Sequence, residues 1–267
     1  MRLPRSRRLR VLPDDAEPWV NGSAGERING RAGQRGDRGE DPYHPAMESV
    51  DLGTQMAGVR DGLLEMASVV LSQVEQAVDA WETLDSDLAR RVLAQDEAVD
   101  DRLLDLDLRI YEVHLVHAPL AGDLRLLHVG LITAVALERV GDLAVSISRL
   151  AESVPAGGSV PSIDAIIRRM SARAVDSLAR GVQAIARVDA DLGDEARVEA
   201  DTVRLMLEDV RAAASDETQQ GDREWITASV LVARHLERVA NNAAELGGRV
   251  RFIATGAPFA RNPRPSG

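Results

Sequence analysis

From about Asp51 onward, apolar residues recur at helical spacing. Val59, Leu63, Met66, Val70, Gln73, Ala77 and Ala80 follow a four-three rhythm, which predicts a first long helix to about Leu84. Asp85 or Ser86 then supplies a cap for a second helix, with the stripe Val92, Asp96, Val99, Leu103, Leu106, Ile110 and Val113. Pro119 removes a backbone donor, so the second helix should stop just before it. A third helix should reach about Ala151, with the stripe Leu124, His128, Leu131, Val135, Glu138, Asp142 and Val145.

After a linker at 152–161, rich in Gly, Pro and Ser, the plan recurs. Ser162 can cap a helix through Val188, and a turn follows at 189–193. A further helix is expected at about 194–214, and a last one at about 223–246, ended by Gly247 and Gly248. The stretch VALERVGDL at 135–143 returns as RHLERVANN at 234–242, with the two glutamates 99 residues apart. That spacing indicates an internal duplication. Short connections make neighbouring helices antiparallel. The expected fold is therefore all-α, with two tandem three-helix bundles at 47–151 and 162–250. Residues 1–46 and 251–267 lack periodicity and are expected to be disordered. Met47 offers an alternative start, in which case the upstream stretch is not translated.

Three stripe positions are acidic: Asp96 on the second helix, Glu138 and Asp142 on the third. Glu138 and Asp142 are an i, i+4 pair, so their side chains share one face and repel. With the hairpin turning near residue 118, Asp96 falls level with both, and Asp100 lies within about one turn of them. Converging carboxylates need a cation, a shared proton or arginine, and Arg125 and Arg139 are near in sequence. His128 lies ten residues before Glu138, about 15 Å along the axis, so it is not expected to be a ligand. His114 and His117 are expected to be satisfied surface or cap residues. In the second copy Glu237 matches Glu138, but Asn241, Ala200 and Arg204 stand where Asp142, Asp96 and Asp100 stand in the first. Glu199 and Asp201 are nearby but off the stripe, so the second half should hold a weaker acid site or none.

Composition agrees with helices. The chain has 267 residues, 45% hydrophobic but only 3% aromatic, and Ala, Leu and Val dominate. It has no cysteine, which excludes disulfides and thiolate metal sites. All 32 basic residues are arginine, as a GC-rich genome would give. The net charge of −11 argues against general nucleic-acid binding. No apolar run approaches the roughly 18–20 residues of a membrane span, and no signal peptide is evident, so a cytoplasmic location without membrane insertion is expected. Neither a nucleophile–base constellation nor a phosphate-cradling glycine loop is present, so no enzyme is expected. A di-iron carboxylate enzyme would need Glu-x-x-His pairs, which the LERV helices lack.

The stretch LERVGDLA at 137–144 resembles the Glu-x-x-x-Asp helix of the PhoU family of phosphate-transport regulators. DEAVD at 96–100 and HAPLAGDLR at 117–125 are similar to the same family's pattern, and the resemblance covers roughly 50–250 in duplicated order. It implies two three-helix bundles whose acidic motifs bind multinuclear clusters of iron, zinc, magnesium or manganese. Glu138 and Asp142 match the first motif and Glu237 the second, with Asp96 and Asp100 beside the first; Asn241 departs from the pattern. The resemblance also implies a homodimeric negative regulator of phosphate uptake. Such a protein acts with the importer's ATPase subunit and a phosphate-sensing histidine kinase. The alternative reading is a helical interaction bundle whose acids are neutralised by arginine.

Overall fold

A computed structural model describes residues 51–155, 157–216 and 222–256. The expectations for residues 1–46 and for the end of the chain after Gly256 lie outside the described residues. The described chain forms α1 (Leu52–Thr83), α2 (Ser86–Ala94), α3 (Asp96–His117), α4 (Ala121–Ser153), α5 (Pro161–Arg187), α6 (Ala190–Ala214) and α7 (Arg223–Thr255), with no strand among the described residues. α1 packs with α2, α3 and α4 as one bundle, and α5, α6 and α7 pack on one another as the second.

Aspartates start four of these helices. Asp51, Asp85, Asp189 and Asp222 each accept backbone N–H groups of the first turn, for example Leu88 N to Asp85 at 3.0 Å. Each satisfies donors that a helix start leaves orphaned. α5 starts differently from expectation: Val160 holds the cap position without a side-chain bond, and Pro161 opens the helix. Proline suits that place because its missing N–H would be unpaired anyway. The second expected helix is two, because the chain turns at Gln95, whose N–H reaches back to Val92. α6 begins at Ala190 rather than 194, since Asp189 caps it directly.

α7 does not stop at Gly247 and Gly248, and the second bundle extends past 250 into the expected tail, to Thr255. A Cβ on Gly247 would stand 2.6 Å from Gly193 Cα, so this glycine lets α7 lie directly against α6. The left-handed cap is Gly256, with φ 72° and its N–H on Phe252 O at 2.9 Å.

The two bundles share one core. α4 packs on α7 and α1 on α5. Trp81 at the end of α1 stacks on Trp225 at the start of α7, with ring centroids 4.9 Å apart. Trp225 Nε1 donates to Asp164 of α5 at 3.2 Å. Among the described residues, no helix is long and apolar enough to cross a membrane.

Candidate functional site: an acidic groove on the first bundle

The α1 stripe read from the sequence is buried at every position. The α4 stripe is not. Leu124, His128 and Asp142 are exposed, while Leu131, Val135 and Glu138 are half-buried. The face of α4 that enters the core is Leu127, Ala134, Leu137, Ala144 and Ile147, with Gly130 and Gly141 between. The acids therefore border the core, and Asp96 and Asp142 line a groove between α3, α4 and α7 that Glu138 and Asp100 do not line. None of the four sits inside the core.

The hairpin expected between the acidic helices is present. α3 ends at His117 and α4 starts at Ala121, so the antiparallel pair turns at about residue 119. Burial raises the Glu138 carboxyl above the ordinary range, and the charges of Asp142, Asp100 and Asp96 push it further, against the pull of Arg139. Asp96 is raised likewise by burial, then by Asp100 and Asp142, against Arg149. Asp100 and Asp142 thus lie close enough to act on both Glu138 and Asp96. The break at Gln95 places Asp96 in the first turn of α3, where the helix dipole favours a negative charge.

The groove holds about 310 Å³ and is lined by Asp96, Asp142, Ser146, Arg139, Arg149 and, from the second bundle, Arg238. Arg139 and Arg238 are the arginines of the two LERV copies. Arg125, a sequence candidate for neutralising the acids, is engaged elsewhere, with its Nε 3.4 Å from Ile253 O at the end of α7. His128 is exposed and stands edge-on to Phe252, clear of the acids. His114 bonds Ile110 O at 2.7 Å, as a surface histidine can. His117 departs from expectation: its Nε2 is buried and bonds to no partner.

The donor set is all oxygen, which suits magnesium or manganese better than zinc. Mutual repulsion among unpaired carboxylates is the chemistry a hard cation relieves. Yet among the described residues no three carboxylate or imidazole groups are poised as a ligand set, so ligation requires the side chains to turn inward. One member of the α1 stripe, Gln73, is polar. The Gln73 amide is fully buried with neither end bonded, and its Oε1 lies 3.3 Å from where a Cβ of Gly141 would stand, beneath the acidic turn.

The second bundle answers the repeat with a different chemistry. Glu237 is buried, its side chain 7% exposed, and each oxygen has a donor: Arg234 at 2.7 Å and Asn241 Nδ2 at 2.7 Å. Ala200 is buried in the core and Arg204 is exposed. Glu199 pairs with Arg173 at 2.7 Å and Asp201 lies near Arg197 and Arg204, so neither replaces the missing acids. Of the sequence candidates, Asp96, Asp100 and Asp142 lie near enough to Glu138 to act on its charge, and Glu237 stands in a closed ion pair.

Comparison with known proteins matches this geometry to one family. A family model described as "PhoU domain" matches residues 63–151, the first bundle. The phosphate-specific transport system accessory protein PhoU homolog of Pseudomonas aeruginosa is 26% identical over 220 residues, covering 78% of this chain and 87% of that one. The PhoU accessory protein of Escherichia coli is 24% identical over 233 residues, covering 80% and 92%. Among solved structures, PhoU from Pseudomonas aeruginosa superposes with a TM-score of 0.72 at 24% identity, over 78% of this chain and all of that one. The phosphate transport system regulatory protein PhoU of Streptococcus pneumoniae gives 0.73 at 17% identity, over 79% and 100%. Residues 63–151 thus match the PhoU domain, and both bundles are spanned by relatives named as PhoU accessory proteins.

Proposed function

We propose that this protein is a cytoplasmic regulatory adaptor that restrains phosphate uptake. In this reading it contacts the ATPase subunit of a phosphate importer and a sensor histidine kinase, damping both when phosphate is plentiful. The observation that carries it is the match, across both bundles, to relatives named as accessory proteins of the phosphate-specific transport system. A non-enzymatic role fits the groove, which holds carboxylates and arginines but no activated nucleophile. A homodimer is part of the proposal. Purified protein should retain the ATPase subunit or the kinase's cytoplasmic portion in a pull-down; retention of neither overturns the reading.

Metal binding at the first bundle is the second half of the proposal. Asp96, Asp100, Glu138 and Asp142 would hold a divalent or iron-type ion, and the ion would supply the positive charge that their convergence lacks. Ser146 and Arg149 line the same groove, and Arg238 brings the second bundle to it. Glu237 would hold none, because Arg234 and Asn241 already satisfy it. Elemental analysis of protein purified without chelator tests this. The wild type should carry metal and an E138A/D142A variant should not; equal metal in both sinks the claim. A metal-free adaptor is the competing reading, favoured by the approach of Arg139 and Arg149 to the same acids.

A further inference from the structure

α3 is apolar on two opposite faces. Val99, Leu106, Ile110 and Val113 face the bundle and are buried. On the other side Leu104, Leu108, Tyr111 and Leu115 are 59%, 54%, 59% and 46% exposed. Their i, i+4, i+7, i+11 spacing makes one continuous ridge along the helix. Scattered exposed leucines are ordinary, but three leucines and a tyrosine aligned on one helix have the spacing by which an amphipathic helix is read.

The bundle itself does not require this row. Under the alignment of 96–100 with 200–204, the matching positions of α6 are Glu208, Ala212 and Ser215. On α6 the exposed large apolar residues are Val198 and Leu205, seven apart, so among the described residues the second bundle has no continuous row of four there.

Charge around the row selects the occupant. Helical geometry puts Asp107 along one edge and Asp105 and Glu112 along the other, with Asp101 towards the N-terminal end. All four are exposed. α3 carries seven acids against Arg102 and Arg109, and Arg109 pairs with Asp105 at 2.8 Å. A second copy laid face to face on α3 would set acid against acid. A membrane with anionic headgroups would be repelled as well.

We propose that the outer face of α3 is a docking surface for a cationic amphipathic helix of a partner protein. The partner would lay an apolar stripe on Leu104, Leu108, Tyr111 and Leu115 and place arginine or lysine against Asp105, Asp107 and Glu112. The inference rests on the adaptor reading only for which protein supplies that helix; the surface itself is argued from α3 alone.

The test uses the full chain and a fluorescent synthetic peptide of 18 residues or so, with leucines at i, i+4, i+7 and i+11 and arginine flanks. Anisotropy should show saturable binding that weakens with salt. An L104S/L108S/L115S variant, which keeps every charge and opens no core, should bind at least tenfold more weakly while its circular dichroism is unchanged. D107N/E112Q should weaken binding several-fold and flatten the salt dependence. A scrambled peptide of the same composition should not bind. The proposal is overturned if the wild type does not bind the peptide, or if the scrambled peptide or the triple variant binds equally well. It is also overturned if sedimentation shows a dimer that the triple variant loses, or if neutral phosphatidylcholine vesicles retain the wild type but not the variant. Because a peptide replaces the importer ATPase and the kinase, failure here is distinct from failure of the pull-down.

Discussion

Asn241 donates to one oxygen of Glu237 and Arg234 to the other, so the second LERV glutamate is fully paired where the first is not. An aspartate at 241 could only accept, and would place a like charge one turn from a buried carboxylate. Asn241→Asp should cost about 1–3 kcal/mol in denaturant unfolding, the penalty of a buried acceptor losing its donor. Manganese should recover part of that loss, because the change recreates the Glu-x-x-x-Asp pair. The first copy behaves oppositely. Glu138 and Asp96 bind their protons more tightly in the folded chain than in the unfolded one. The stability they contribute is present below the ordinary carboxylate values of about 4 and is lost as pH rises through the raised values. With chelator present, Glu138→Gln should therefore raise the melting temperature at pH 7 and leave it unchanged below about pH 4. A destabilised Glu138→Gln protein at pH 7 would show that an arginine already neutralises this acid. The repeat is legible in the sequence because both copies keep Leu-Glu-Arg-Val, and their divergence because Asn241 stands for Asp142. The closed ion pair of Glu237 was not visible, since Arg234 reaches it through a rotamer and not through a pattern.

At the scale of elements, α1 was legible and α4 was not, for a physical reason. α1 packs on four helices, but every position of its predicted stripe is buried and only Gln73 among them is polar. α4 touches α1, α2, α3 and α7, and is buried over so much of its circumference that two overlapping stripes fit the same period. The stripe containing the acids looked like the core, while the true core stripe is built of Leu, Ala and Gly one step round the helix. Small residues carry little hydropathy signal but permit close packing. Gly247 has the same origin: a glycine pair near a helix end reads as a stop, yet it marks the contact with Gly193. Gly247→Ala should overpack that contact and cost about 1–3 kcal/mol. Gly58→Ala is the control. A Cβ there would meet only the Arg109 guanidinium at 3.7 Å, and removing a mid-helix glycine should stabilise by up to about 1 kcal/mol. Equal effects at both positions, measured as shifts in denaturant midpoint, would show that the α6–α7 contact is loose.

Across the whole molecule, duplication predicts two bundles but says nothing about whether they act as one body. The packing does. α4 and α7, the two LERV helices, lie against each other, and Arg238 of the second bundle enters the acidic groove of the first. Trp81 and Trp225 close the other side of the junction, 3% and 5% exposed, with Asp164 fixing the indole of Trp225. A shared core of this kind should make the bundles unfold together. Calorimetry should give a single transition whose calorimetric and van't Hoff enthalpies agree. Trp81→Ala removes a stacked, buried ring from the junction without touching either bundle's acid pattern, and should cost about 3–5 kcal/mol. If the junction couples the halves, the same variant should split the transition in two, and manganese should then raise only the melting of the half that contains Glu138. A variant that still unfolds in one step, with metal shifting all of it, would place the coupling in the α4–α7 contact instead of the tryptophan stack.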